Sequence, residues 1–171
     1  MTSATCLLRQ QCVYLNLMND PTASKIKELL IELKREKTRV YTSIIAVQEV
    51  SVMSYRKGTL AQDNYSKIDK LARIEGVTKD IALTAAKYEA HILDQTEKRD
   101  QQDNKRRKWD CFHIATAVAL GCSVIYTADE GQHKRKAQFN LSGLTFLYPV
   151  PSKPGLLFPP AEPDDPTPTV Q

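Results

Sequence analysis

The chain alternates short β-branched runs with long stretches of helical periodicity, and few folds accept that order. Val40-Tyr41-Thr42, residues 123–127 (SVIYT) and residues 144–148 are apolar and too short for helices, and residues 4–8 (ATCLL) can form a first strand. Between them, Ile26, Leu29, Leu30 and Leu33 recur at helical spacing behind Asp20-Pro21. That pair reads as a helix start, with Asp as cap and Pro at the first helical position. Ile44–Arg56 has apolar residues at helical spacing, and Gly58 suits the position just past its end. Residues 60–74 predict another helix, and residues 79–97, capped by Thr78, its partner. The polar stretch 98–108 reads as a loop entering an amphipathic helix at 109–120, which Gly121 stops. A turn-rich basic piece separates Thr127 from the last strand. Strands separated by helices predict an α/β fold, a mostly parallel sheet covered on both faces.

Proline sets the boundary of this body. Eight of the nine prolines lie in residues 149–168 of the 171. Proline fixes φ and donates no backbone hydrogen bond, so this stretch cannot join a helix or a central strand. One domain over 1–148 and an unstructured, proline-rich tail over 149–171 are expected. The tail carries one lysine and three acids, which leaves 23 basic and 17 acidic residues and a net charge of +6 before it. That is a mild pull toward polyanions. No apolar run reaches the roughly 18 residues that a spanning helix needs, and no secretory signal opens the chain. Cys6, Cys12, Cys111 and Cys122 show no CxxC spacing. The expectation is a cytoplasmic protein without a zinc knuckle or disulfide framework, and without a membrane partner.

Three acids fall where a parallel sheet binds ligands, at the carboxyl ends of its strands. Asp129 follows the strand SVIYT by two residues. Asp110 opens the helix leading into that strand, and Glu49 lies on the helix following YTS. Taken singly, Asp110 reads as a cap or dipole partner and Asp129 as a turn residue. Glu49 sits in the otherwise apolar segment YTSIIAVQEVSV, where a buried acid needs a partner, usually a metal or a lysine. Taken together, converging acids repel one another unless a cation sits between them, and hard divalent ions such as Mg²⁺ or Mn²⁺ take oxygen ligands.

The blocks TSIIAVQEV and WDCFHIATAVALGCSVIYTAD resemble the PIN-domain nucleases, in particular the VapC-type toxins of toxin–antitoxin pairs, over roughly residues 10–148. The resemblance implies a PIN-like three-layer α/β/α sandwich and Mg²⁺- or Mn²⁺-dependent endonucleolytic cleavage of RNA. It also implies that Glu49, Asp110 and Asp129 are the catalytic, metal-holding acids. His113, one turn from Asp110, reads as a packing or hydrogen-bonding residue. In that family the first strand ends in a further acid. Counting back from VYLNLMNDP places it at Gln10, with Arg9 as its neighbour. Gln is a weak, neutral ligand, and Arg repels a cation. Either the N-terminal segment is altered relative to its relatives, or the chain lacks the acid and is weakened or inactive.

Two basic runs flank the acids: Lys105, Arg106, Arg107 and Lys108 before Asp110, and Lys134 and Arg135 after Asp129. They are candidate phosphate contacts, whose binding weakens with salt. Trp109 reads as core rather than as a base-stacking platform. The resemblance gives the helical arm at about 60–97 a role in homodimer and antitoxin contacts, and Tyr55, Tyr65 and Tyr88 are expected to pack among the helices. The alternative to a ribonuclease is a catalytically impaired PIN-like module that binds RNA or a protein without cutting.

Overall fold

The protein is described by a computed structural model covering residues 4–9, 12, 23–58, 60–95, 101–135, 139, 141 and 143–151, the side chains of residues 53, 101–107 and 134–135 excepted. In chain order the elements are β1 (Thr5–Leu8), α1 (Ala23–Arg35), β2 (Arg39–Ser43), α2 (Ile44–Arg56), α3 (Ala61–Leu71), β3 (Arg73–Glu75), α4 (Lys79–Gln95), α5 (Gln101–Ala119), β4 (Val124–Tyr126), α6 (Glu130–Arg135) and β5 (Thr145–Leu147). The five strands form one sheet in the order β3-β2-β1-β4-β5, parallel at every pairing. The chain runs outward from β1 through β2 and β3, then returns to the other side of β1 for β4 and β5. Strand order therefore reverses between β1 and β4, which pair through Leu7 with Ile125 and Leu8 with Tyr126.

The inner strands β1 and β4 are buried on both faces, whereas Thr145 and Leu147 of the edge strand β5 are exposed, and the alternation of side chains builds two cores. Leu7, Ile125 and Phe146 point to one face, against Ile81, Ala85 and Ile92 of α4 and Cys111, Ile114 and Ala115 of α5. Cys6, Leu8 and Tyr126 point to the other, against Leu29 and Leu33 of α1, Val50 of α2 and Ile68 of α3. This is the parallel sheet covered on both faces that the alternation predicted, and the three-layer sandwich that the resemblance implied. Full burial of a side chain such as Leu7 or Ile125 contributes about 1.5–3 kcal/mol, so β1 and β4 are the most firmly held strands. All four cysteines are buried, and none is in a disulfide. Burial pushes the thiols of Cys6, Cys12 and Cys122 up to about 12, which keeps them protonated as small apolar groups.

Local chemistry explains most boundaries. Ser43 Oγ accepts the Ile45 N–H at 3.2 Å at the start of α2, and Thr78 Oγ1 accepts the Ile81 N–H at 3.2 Å at the start of α4. Gly58 and Gly121 end α2 and α5 at φ +67° and +62°, values that favour glycine. Three readings change. Ile74 belongs to β3, not to a helix running over 60–74, because its backbone pairs with Thr42. The helical stretch 60–97 is thereby divided, and α3 and α4 cover opposite faces of the sheet. The polar residues from Gln101 onward are not a loop but the first two turns of α5, since Gln, Lys and Arg are good helix formers where no core is needed. The basic piece after Asp129 begins as the short helix α6.

Tyr88 packs at the core, edge-on to Phe139 with ring centroids 5.8 Å apart, as expected. Tyr55 and Tyr65 do not: they are 74% and 38% exposed on outward faces of α2 and α3. Trp109 is half-buried against Phe112, at the rim of the core. No helix among the described residues is long and apolar enough to cross a membrane. Asp20, Pro21 and the tail beyond residue 151 lie outside the described residues.

Candidate functional site

The strand order reverses between β1 and β4, and the carboxyl edge of the sheet at such a reversal is the usual ligand position in open α/β folds. Arg9 leaves β1 there. Its backbone N–H donates to the Tyr126 carbonyl at 3.1 Å, extending the β1–β4 ladder by one bond. The buried Thr42 hydroxyl donates to the Leu8 carbonyl at 2.8 Å from the other neighbouring strand. The backbone at Arg9 is thus held from both sides, and the residue is only 4% exposed.

Its guanidinium joins two acids from distant parts of the chain. Nη2 donates to Asp110 Oδ1 at 2.6 Å, and Nη1 donates to Asp129 Oδ2 at 3.2 Å. The Asp110 side chain is 6% exposed and that of Asp129 is 34% exposed. Nε is buried and finds no partner among the described residues. A buried charge is costly unless paired, and the two carboxylates supply the pairing.

Asp129 is positioned by α6. Its Oδ1 accepts the Gly131 N–H at 2.8 Å, and its carbonyl accepts the N–H groups of Gln132 and His133. Its own N–H donates to Thr127 Oγ1 at 3.1 Å. A Cβ on residue 131 would stand 3.0 Å from Asp129 Oδ1, so glycine there lets the carboxylate turn back onto the helix. Asp129 therefore caps a helix and faces Arg9 at the same time. His133 anchors the far side of α6: its ring stacks on Tyr148 at 4.1 Å, and its Nε2 lies 3.1 Å from the Thr127 carbonyl.

Glu49 meets a different partner. His113, fully buried and one turn along α5 from Asp110, places Nε2 3.1 Å from Glu49 Oε2. Burial pushes the imidazole below its usual pKa; Glu49 and Asp110 pull it upward, and Arg9 adds to the lowering. The ring is therefore neutral, and a hydrogen on Nε2 donates to Glu49. The buried Nδ1, without a partner among the described residues, then carries only a lone pair. The partner expected for this acid, a metal or a lysine, is an imidazole.

Of the acids singled out from the sequence, Asp110 and Asp129 meet on one guanidinium, while Glu49 is set against His113, which has a hydrogen-bonding role as read. The sequence reading missed Arg9 as a member of the site, weighing it only as a metal ligand. The available signal was an arginine directly after the apolar run TCLL, where a buried cation demands acids nearby. Gln10 lies outside the described residues, and the position leaving β1 at the acids is Arg9. Of the basic runs, Lys108 is exposed two residues before Asp110. The side chains of Lys105, Arg106, Arg107, Lys134 and Arg135 lie outside the described residues.

Comparison with known proteins agrees with this architecture. Residues 12–138 match the model of the PIN domain family, a match that begins past Arg9. The chain is similar in structure to VapBC2 of Rickettsia felis, solved bound to a DNA fragment from its promoter, at TM-score 0.59 and 14% identity, covering 84% of this chain and 98% of that one. It is similar to VapBC-1 of nontypeable Haemophilus influenzae at TM-score 0.56 and 14% identity, covering 85% and 98%. It is also similar to VapC20 of Mycobacterium tuberculosis, described as a toxin cleaving the sarcin–ricin loop, at TM-score 0.54 and 18% identity, covering 77% and 95%. No curated protein sequence matches the chain. At these identities the structural likenesses establish the fold.

Proposed function

Because the chain belongs to the PIN domain family, we propose that it is an RNA-directed domain of the toxin–antitoxin kind, built on the endoribonuclease plan. Glu49, Asp110 and Asp129 are its site acids, and an antitoxin-like protein is its partner. The observation that carries this reading is the convergence of Asp110 and Asp129 on one buried group at the strand-order reversal. The exposed Lys108 and the basic runs on either side of the acids supply attraction for a phosphate backbone. The structural neighbours from toxin–antitoxin complexes support a protein partner. Exposed Tyr55, Leu60 and Leu83 supply apolar surface for that partner or for a homodimer.

The finer expectation is hydrolysis with Mg²⁺ or Mn²⁺, an ion that offsets phosphoryl charge and lowers the pKa of bound water. The residues present do not fit that ion. Magnesium takes oxygen ligands at about 2.0–2.1 Å in near-octahedral geometry. Here Asp110 Oδ1 and Asp129 Oδ2 are engaged by Arg9, and no group of three His, Cys, Asp or Glu side chains able to hold a metal occurs among the described residues. A divalent ion about 4 Å from the guanidinium meets a repulsion of about 8 kcal/mol at an effective dielectric of about 20. The chain's own groups therefore hold and orient. Asp110 and Asp129 fix the arginine, His113 fixes Glu49, and the partly exposed Asp129 marks the face toward solvent. For the chain as it stands, this favours the second reading: RNA held at the sheet edge without cleavage.

The test is labelled single-stranded RNA incubated with the protein and Mn²⁺, with binding followed by anisotropy and cleavage by gel, for the natural chain and Asp110→Asn. Salt-sensitive binding without cutting by either is expected. Cutting that Asp110→Asn abolishes would restore the metal-dependent endoribonuclease. Absence of any RNA binding would remove RNA as the ligand, and competition with DNA would separate the two polymers.

A further inference from the structure

We infer that Arg9 is a built-in counter-cation: its guanidinium takes the place of a divalent ion between Asp110 and Asp129, and keeps the site closed to metal. The inference rests on the acids named above being the site acids. Its own support is geometric.

The arginine is not a surface residue that has folded inward. It directly follows the central strand, its N–H continues the ladder to Tyr126, and the residue before it is tied to β2 through Thr42. A residue at this point stands at the carboxyl edge beside β4, and here it is 4% exposed. Two of its three nitrogens make charge-assisted bonds, one to each acid, while Nε stays unpaired among the described residues. A guanidinium buried for its hydrogen bonds alone would use all its donors. This one is placed by the two negative charges. Asp110, 6% exposed on the side chain, cannot be neutralised by water, so the fold needs a cation at this position. Arginine supplies one that does not dissociate and does not lose its charge. The site then has a complete ground state without metal, and the chain's stability does not depend on divalent ions.

The inference predicts that removing the arginine creates metal affinity. Mn²⁺ and Mg²⁺ are the probes, applied to the full chain and to Arg9→Asp and Arg9→Gln. Affinity is read by calorimetry and by the metal-linked rise in melting temperature, since a ligand of the folded state raises it. The natural chain is expected to show no metal-linked rise. Arg9→Asp is expected to bind Mn²⁺ at least about tenfold more tightly, with a rise in melting temperature. Adding Asp110→Asn to Arg9→Asp should abolish the gain, which locates the ion. Should Arg9→Asp fail to fold without metal, Arg9→Gln carries the same measurement with one charge fewer. Mn²⁺ binding by the natural chain equal to that of the variants overturns the inference. Folded variants that gain no affinity overturn it too. RNA anisotropy on the same samples tests the functional reading separately, because loss of RNA binding leaves the metal result standing.

Discussion

Asp110 and Glu49 are both acids set against the packed face of the sheet edge, and the fold answers their charge differently. Asp110 is met by a permanent cation at 2.6 Å, with both side chains about nineteen-twentieths buried. Glu49 is met by a ring that burial keeps neutral, and its own side chain is 17% exposed. Water can reach the second acid and hardly reaches the first. The difference shows what sets the choice of partner. Where solvent shares the burden, one neutral hydrogen bond is enough; where it is excluded, a full opposite charge is required.

The largest expected effect breaks the Arg9–Asp110 pair from one side. Asp110→Ala leaves a buried guanidinium with only the partly exposed Asp129, and is expected to cost about 3–5 kcal/mol in urea denaturation. Replacing both members, as Arg9→Met with Asp110→Leu, should recover most of that loss, since a buried pair exchanged for apolar groups of similar volume is often neutral. A cost for Asp110→Ala below about 1 kcal/mol would mean that solvent reaches Arg9 and that the contrast with Glu49 does not exist.

Glu49 should behave as an acceptor rather than as a charge. Glu49→Gln keeps an oxygen opposite the His113 N–H and is expected to change stability by less than about 1 kcal/mol. Glu49→Ala strands that N–H in a fully buried ring and should cost about 1–3 kcal/mol. Equal losses for the two variants would show that His113 is a cation, and would erase the distinction between the two acids.

How much of this was legible before the structure depends on whether the signal is local. The alternation of strands and helices, the start of α2 after Ser43, the Thr78 cap and the stop at Gly121 are written in neighbouring residues, and the structure reproduces them. Ile74 was misread because a helix read over 60–74 does not reveal that a parallel neighbour, Thr42, claims its last residue. The start of α5 was misread because a solvated helix needs no apolar periodicity. At the site, Asp129 could be placed because it closely follows the end of β4; Asp110 was expected to open its helix and instead lies inside α5, because the polar residues before it are helical. The arginine after TCLL signalled only that acids must lie nearby; which acids was not legible, because its contacts are 101 and 120 positions away. Charge sign alone suggested that an arginine spoils such a site, and burial turns the same charge into the group that completes it.

The smallest effect concerns Asp129, which shares the guanidinium with Asp110 but not its environment. At 3.2 Å and with a side chain 34% exposed, its coupling to Arg9 is expected to be about 0.2–1 kcal/mol. A double-mutant cycle of Arg9→Met and Asp129→Asn isolates this contact, because asparagine can still cap α6 through the Gly131 N–H. Run at low and at high salt, the cycle should shrink for Asp129 as the Debye length falls, and hold for a parallel cycle with Asp110. A coupling as large as that of Asp110 and indifferent to salt would mean that the two acids share one buried environment. A weak, screened coupling would instead make Asp129 the edge at which solvent ions, and an arriving phosphate, compete first for the arginine.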